Sequence, residues 1–103
     1  MPIAILRAEL LIPHARSLKQ KRSPLKSLKE RLRQRLGASV AEVDHQGAYV
    51  RAAIEVALAG RDPATTEDLL RKAEEMIRGS RETEVVSIRT DVVHAEEAPE
   101  DWP

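Results

Sequence analysis

The chain has 103 residues, 42% hydrophobic and 33% charged, and its 17 basic and 17 acidic side chains give a formal net charge of zero. That length accommodates one domain with a modest core, and no apolar run approaches the roughly 20 residues of a membrane-spanning helix. The absence of cysteine excludes disulfides, thiolate metal sites, iron–sulfur ligation and thiol nucleophiles.

The first residues, Met1 to Arg7, lack the basic region and small-residue cleavage site of a signal peptide, which predicts a cytoplasmic protein. Ile3 to Ile12 alternates as a strand, with Leu6, Ala8, Leu10 and Ile12 on one side and Arg7 and Glu9 on the other. Pro13 ends it. Ser17 can cap a first helix, and Leu18, Leu25, Leu28, Leu32 and Leu36 form its apolar stripe. Pro24 leaves two versions open: a helix interrupted or kinked at the proline, or a short turn from Ser17 to Arg22 followed by a helix capped by Ser23.

Gly37 stops this helix, and Ser39 to Asp44 and Tyr49 to Ala59 form a hairpin around His45, Gln46, Gly47 and Ala48. Val50, Ala52, Ile54, Val56 and Leu58 make the apolar side of its second arm, with Tyr49, Arg51 and Glu55 pointing away. After Gly60 and Arg61, Asp62 caps a second helix that begins on Pro63 and ends at Gly79, offering Leu69, Leu70, Ala73, Met76 and Ile77 to the core. A last strand, Glu84 to Val93, sets Val86, Ile88 and Val92 inward. Residues 94–103 carry four acids, two prolines and no Lys or Arg, which predicts a disordered acidic tail behind a single domain of residues 1–93.

The order strand, helix, strand, strand, helix, strand specifies the α+β ferredoxin-like split βαββαβ plait, a four-stranded antiparallel sheet with both helices on one face. Strand direction then gathers His14, Arg16, Lys19, Lys21, Asp44 and His45 at one end of the sheet.

From Arg16 to Arg35 the chain carries nine cations (Arg16, Lys19, Lys21, Arg22, Lys26, Lys29, Arg31, Arg33 and Arg35) against the single acid Glu30. On a helix, Lys19, Arg22, Lys26, Lys29 and Arg33 recur at steps of three and four as a ridge beside the leucine stripe. A ridge of point charges and guanidinium groups suits phosphates more than base edges, so structured RNA read by shape is the expected partner. A solvated helix face is the competing explanation. The helix start near Ser17, with Arg16, Lys19 and Lys21, is a second candidate anion site.

His14, Asp44 and His45 form a candidate metal or acid–base group, although their spacing is unspecific and a local turn role for Asp44 and His45 competes with it. No catalytic residue, metal or cofactor is assigned. Tyr49 is the one aromatic available to the sheet, too few for base stacking of the RNA-recognition-motif kind. Ile5, Leu11, Val85 and Val93 are expected on the sheet face that the helices leave open, which makes a homodimer the alternative to an RNA role.

Ser17-Leu18-Lys19-Gln20-Lys21-Arg22, then Leu25-Lys26-Ser27-Leu28 and Arg31-Leu32, and Ser39 to Gln46 (SVAEVDHQ) together resemble the bacterial YlxP-like family. The resemblance implies a ferredoxin-like plan and no established activity. Genes of that family often lie beside those for transcription-termination, translation-initiation and ribosome-maturation factors, which implies an RNA- or ribosome-associated accessory role. Pro24 departs from the family pattern, where a helix-compatible aliphatic residue is expected.

Overall fold

The structure, a computed structural model of the chain, describes residues 1–94. Its elements are β1 (Pro2–Leu11), α1 (Leu18–Leu36), β2 (Ser39–Asp44), β3 (Arg51–Ala59), α2 (Pro63–Arg78) and β4 (Glu84–His94). The sheet order is β2-β3-β1-β4, and every neighbouring pair is antiparallel. Alternation on β1 and β3 turns Ala4, Leu6, Ala8, Leu10, Ala52, Ile54, Val56 and Leu58 to the face where Leu25, Leu28 and Leu32 of α1 and Ala73 and Ile77 of α2 are buried. The core is therefore wholly aliphatic. The acidic segment 95–103 lies outside the described residues, whereas His94, expected within it, belongs to β4 and pairs with Pro2.

α1 is one continuous helix with Pro24 inside it. Ser17, not Ser23, is its cap, the hydroxyl accepting the Gln20 N–H at 3.1 Å. Pro24 has no N–H to give the Gln20 carbonyl one turn back, yet its ring is buried among the helix's core residues. Burial of that ring explains why packing holds the helix together where propensity would end it. Gly37 closes it with φ of 63° and donates its N–H to the Arg33 carbonyl at 3.0 Å, a left-handed cap that suits glycine. Asp62 caps α2 as expected, accepting from Thr65 N at 2.7 Å, with Pro63 opening the helix.

Two register shifts change the expected inward set. Leu10 pairs with Val85 and Glu9 with Ser87, so Val86 is the extra residue of a bulge. In consequence Val85 packs on the core while Val86 is 57% exposed, the reverse of the simple alternation. A second shift in β2, between Glu42 and Asp44, sets Val43 outside the ladder. β3 begins at Arg51, so Tyr49 and Val50 stand exposed in the connection, although Val50 was expected on the apolar side. Ile12 lies beyond β1 but stays buried, and its N–H reaches the Val50 carbonyl at 2.8 Å.

Candidate nucleic-acid interface

α1 has no acid in its first turn, and its cations outside the core stripe fall on faces that the sheet does not cover. Arg16, Lys19, Arg22 and Lys26 are exposed, and Lys29 is half-buried. Lys26 comes within 4.0 Å of Glu30, a loose pair on an exposed turn, and no other acid among the described residues lies within ion-pair distance of these five cations. Arg22, Lys26 and Lys29 line a hollow of ≈330 Å3 beside β2, with Glu42 and Gln46 also on its wall.

α2 has the opposite pattern. Arg71 pairs with Asp68 and with Glu75, Lys72 with Asp68 at 3.0 Å, and Arg78 with Glu74 at 3.1 Å, all within the helix. Self-neutralising i,i+3 and i,i+4 pairs of this kind are what a solvated helix face uses. On α1 that device is almost missing.

Two of the expected anion contacts, Arg33 of the ridge and Lys21 of the helix start, are committed elsewhere. Arg33 donates Nη2 to the Val40 carbonyl at 2.7 Å, bracing the end of α1 against β2. Lys21, expected as an outward anion contact, is 3% exposed. Its Nζ donates to the carbonyls of His45 at 2.8 Å and Ala48 at 2.7 Å and lies 2.8 Å from Glu42 Oε2. That buried Oε2 has no hydrogen-bond partner, its approach to Nζ being an ion pair without hydrogen-bond geometry. The signal was present in the spacing: Leu18, Lys21, Leu25, Leu28 and Leu32 follow steps of three and four, and the lysine occupies a core position of that series.

Asp44 and His45 do come together, and with β1 rather than with His14. His45 Nε2 lies 3.1 Å from Glu9 Oε2, and Nδ1 faces Asp44 Oδ1 at 3.9 Å. Glu9 Oε1 accepts from Arg7 at 3.1 Å, and Arg7 extends to Glu55 at 3.3 Å and to Asp44 at 3.5 Å. This cluster covers the open sheet face above Ala53, which is fully buried although it points away from the helices. His45 holds φ of 62°, an uncommon value outside glycine, and is fixed from several sides: its N–H bonds Asp44 Oδ1 at 2.8 Å and its carbonyl accepts from Ala48 N and Lys21. His14 is exposed beside a separate hollow with Ile12, Arg16 and Gln20, so the expected three-residue group does not form. Arg7, Glu9 and Glu55 escaped notice as partners because only the antiparallel register sets Arg7 opposite Glu55.

Among the described residues no three His, Asp or Glu side chains are grouped to hold a metal ion. Hydrogen bonding to Arg7 is the largest influence holding the Glu9 carboxyl below its ordinary value of 4.5, against the opposing effect of partial burial. Asp44 is held below 3.8 chiefly by the His45 backbone N–H. A carboxyl with a lowered folded pKa stabilises the fold above its unfolded value, and this is lost as pH falls through the folded value. Stability is thus expected to hold down to about pH 5 and to decline below it. Glu9→Gln should flatten that acid decline in denaturant unfolding measured from neutral to acid pH, and an unchanged slope would exclude Glu9 as its source.

The architecture is that of the ferredoxin-like plait. A dimeric ferredoxin-like protein from an uncultured marine organism shares it with a TM-score of 0.51 at 12% identity, over 94% of this chain and 100% of that one. The de novo designed protein Foldit4 gives 0.57 at 11%, covering 93% and 100%. SnoaB, a cofactor-independent oxygenase from Streptomyces nogalater, gives 0.51 at 6%, covering 97% and 98%. These identities show a shared fold alone. No curated protein matches the sequence. The chain belongs to the family described as "Protein of unknown function (DUF503)", whose pattern matches residues 3–90. Among the described residues no helix is long and apolar enough to cross a membrane.

Proposed function

We propose that this protein is a non-enzymatic accessory domain that binds RNA, in the free state or within the ribosome, through the phosphate backbone. The observation that carries this reading is the contrast between the helices: α2 neutralises its own cations, whereas Arg16, Lys19, Arg22, Lys26 and Lys29 have, among the described residues, one loose partner between them. A surface of one sign concentrates ligands of the other. The resemblance of Ser17 to Arg22 and Ser39 to Gln46 to the YlxP-like family, with its translation-related gene neighbours, supports the same partner.

The test is a titration of ribosomal RNA at two salt concentrations. The combined variant Lys19→Glu, Arg22→Glu, Lys26→Glu and Lys29→Glu should bind at least about tenfold more weakly at low salt and lower the slope of log affinity against log salt by about 3. Equal weak binding by both proteins would remove the proposal.

Self-association is the second reading, favoured by one observation. Register sets Ile3 between Ala59 and Val93, and Ile5 between Ala57 and Asp91, so apolar groups share one end of the open face beside a single acid, with Ile5 37% and Val93 45% exposed. The marine ferredoxin-like protein is described as dimeric. Light scattering of a concentrated sample decides this: a dimer that Ile5→Glu dissociates supports it, and a strict monomer opposes it.

A further inference from the structure

On the flank of α1 away from the basic ridge, two hollows of ≈490 Å3 and ≈440 Å3 share Ser23, Pro24 and Glu82 and so adjoin as one trough. Each lies within the roughly 300–1,000 Å3 range of small-molecule sites. The first is walled by α1 and by the connection from α2 to β4. Arg31 enters it from the helix and Arg81 from the connection, together with the hydroxyl-bearing Ser27 and Ser80. Neither guanidinium has an acid partner among the described residues, and Arg31 makes only a long Nε contact of 3.4 Å to the Ser27 carbonyl. Two planar cations from separate elements, with hydroxyl donors around them, match the oxygens of a phosphate.

Glu82 stands at the junction and is the one acid of both hollows. It would repel a bare anion. A carboxylate there is useful to a ligand that brings hydroxyl donors along with its phosphate, as a ribose 2′,3′-diol does. Beyond it the second hollow changes character: Ile12, Ala15 and Pro24 are buried apolar groups on its wall, and the exposed His14 and Arg16 offer flat groups against which a base can stack. Phosphate site, hydroxyl acceptor and apolar wall thus succeed one another along the trough. From Ser27 to Gln20 this covers about 10 Å of helix axis, comparable to one nucleotide.

We infer that the trough between α1 and the α2–β4 connection binds one ribonucleoside monophosphate, with its phosphate at Arg31 and Arg81, its ribose hydroxyls on Glu82 and its base over Ile12, Ala15 and Pro24. The same chemistry is offered by a free nucleotide and by the 5′-phosphorylated end of an RNA chain. Arg16 is the one cation shared with the proposed RNA interface; Lys19, Arg22, Lys26 and Lys29 line neither hollow, so variants at those four positions test the two assignments separately.

The experiment follows backbone amides of the full chain by NMR while AMP, 2′-deoxy-AMP and adenosine are added. AMP is expected to shift residues 23–31 and 79–82 saturably and to bind about tenfold more tightly than either of the other two. Arg31→Ala with Arg81→Ala should abolish the preference for AMP over adenosine, and Glu82→Ala should equalise AMP and 2′-deoxy-AMP. Arg51→Ala with Arg89→Ala, on the sheet, should change neither. A 5′-phosphorylated tetraribonucleotide, added to the four-site ridge variant, separates the sources: tighter binding than AMP identifies an RNA end and weaker binding a free nucleotide. Equal binding of AMP and adenosine, shifts confined to other residues, or AMP binding that survives loss of both arginines would overturn the assignment. The four-site ridge variant should keep AMP binding, so failure of the RNA proposal leaves this one standing.

Discussion

Lys21→Ala is expected to lower the unfolding free energy by about 3–5 kcal/mol, because removing one partner of a buried charge pair strands the other. The ammonium meets Glu42 Oε2, which has no hydrogen-bond partner, and the carbonyls of His45 and Ala48, all within 2.8 Å. Alanine leaves the buried Oε2 of the half-buried Glu42 and the Ala48 carbonyl without their donor, takes one of two donors from the His45 carbonyl, and empties the volume of a long side chain beside Leu25. The damage should also spread to the turn. His45 is held at a positive φ partly through that carbonyl bond, so its amide and that of Ala48 should lose hydrogen-exchange protection beyond the global change. Replacing both charges, as Lys21→Met with Glu42→Leu, should recover most of the loss, since the remaining penalty is chiefly the Ala48 carbonyl, the His45 carbonyl keeping the Ala48 N–H. Denaturant unfolding measures all three proteins, and a Lys21→Ala chain within about 1 kcal/mol of the parent would show the ammonium to be dispensable.

Gly60→Ala should cost about 2–3 kcal/mol, at the severe end of the range for added volume in a packed site. A Cβ on Gly60 would lie 2.8 Å from the backbone nitrogen of Thr66, and nearer still to its Oγ1. Neither atom has freedom to retreat: Thr66 is fully buried, its N–H bonds the Asp62 carbonyl at 3.1 Å and its hydroxyl the same carbonyl at 2.9 Å. The constraint is space between the end of β3 and the first turn of α2, so even the smallest side chain is too large. Thr66→Ala in the same chain removes the hydroxyl and leaves the backbone nitrogen in place, so it should offset only part of the loss. Thermal unfolding checks this, and a Gly60→Ala midpoint equal to the parent's would mean that the β3–α2 turn relaxes freely.

Element order and type were legible because each rests on a local period or a local cap. Asp62 with Pro63, Gly37, and the strides through Leu25, Leu28 and Leu32 are readable without knowing what they pack against. Lys21 is legible in principle, because its phase on α1 falls within the leucine series although its charge suits the surface. The Glu9 to His45 contact and the exchange of Val85 for Val86 were not legible. Both depend on which residue of a distant strand stands opposite, and a bulge moves every later side chain to the other face. Pro24 was undecidable locally, because burial of its ring is a tertiary fact. The trough along Arg31 and Arg81 was invisible for the same reason, its walls being more than forty residues apart in the chain.

The irregularities in β2 and β4 bear on how this protein behaves in a crowd. Both are outer strands of the sheet, and each loses its ladder at one point, near Val43 and at Val86. A foreign strand cannot template along either rim without meeting that break, which is how natural sheets resist growing into aggregates. β2 has no proline or lysine gatekeeper, so there the kink acts with the charges of Glu42 and Asp44 alone. A sequence that repaired it by deleting Val43 would gain a straight adhesive margin and be expected to precipitate where the parent stays dispersed.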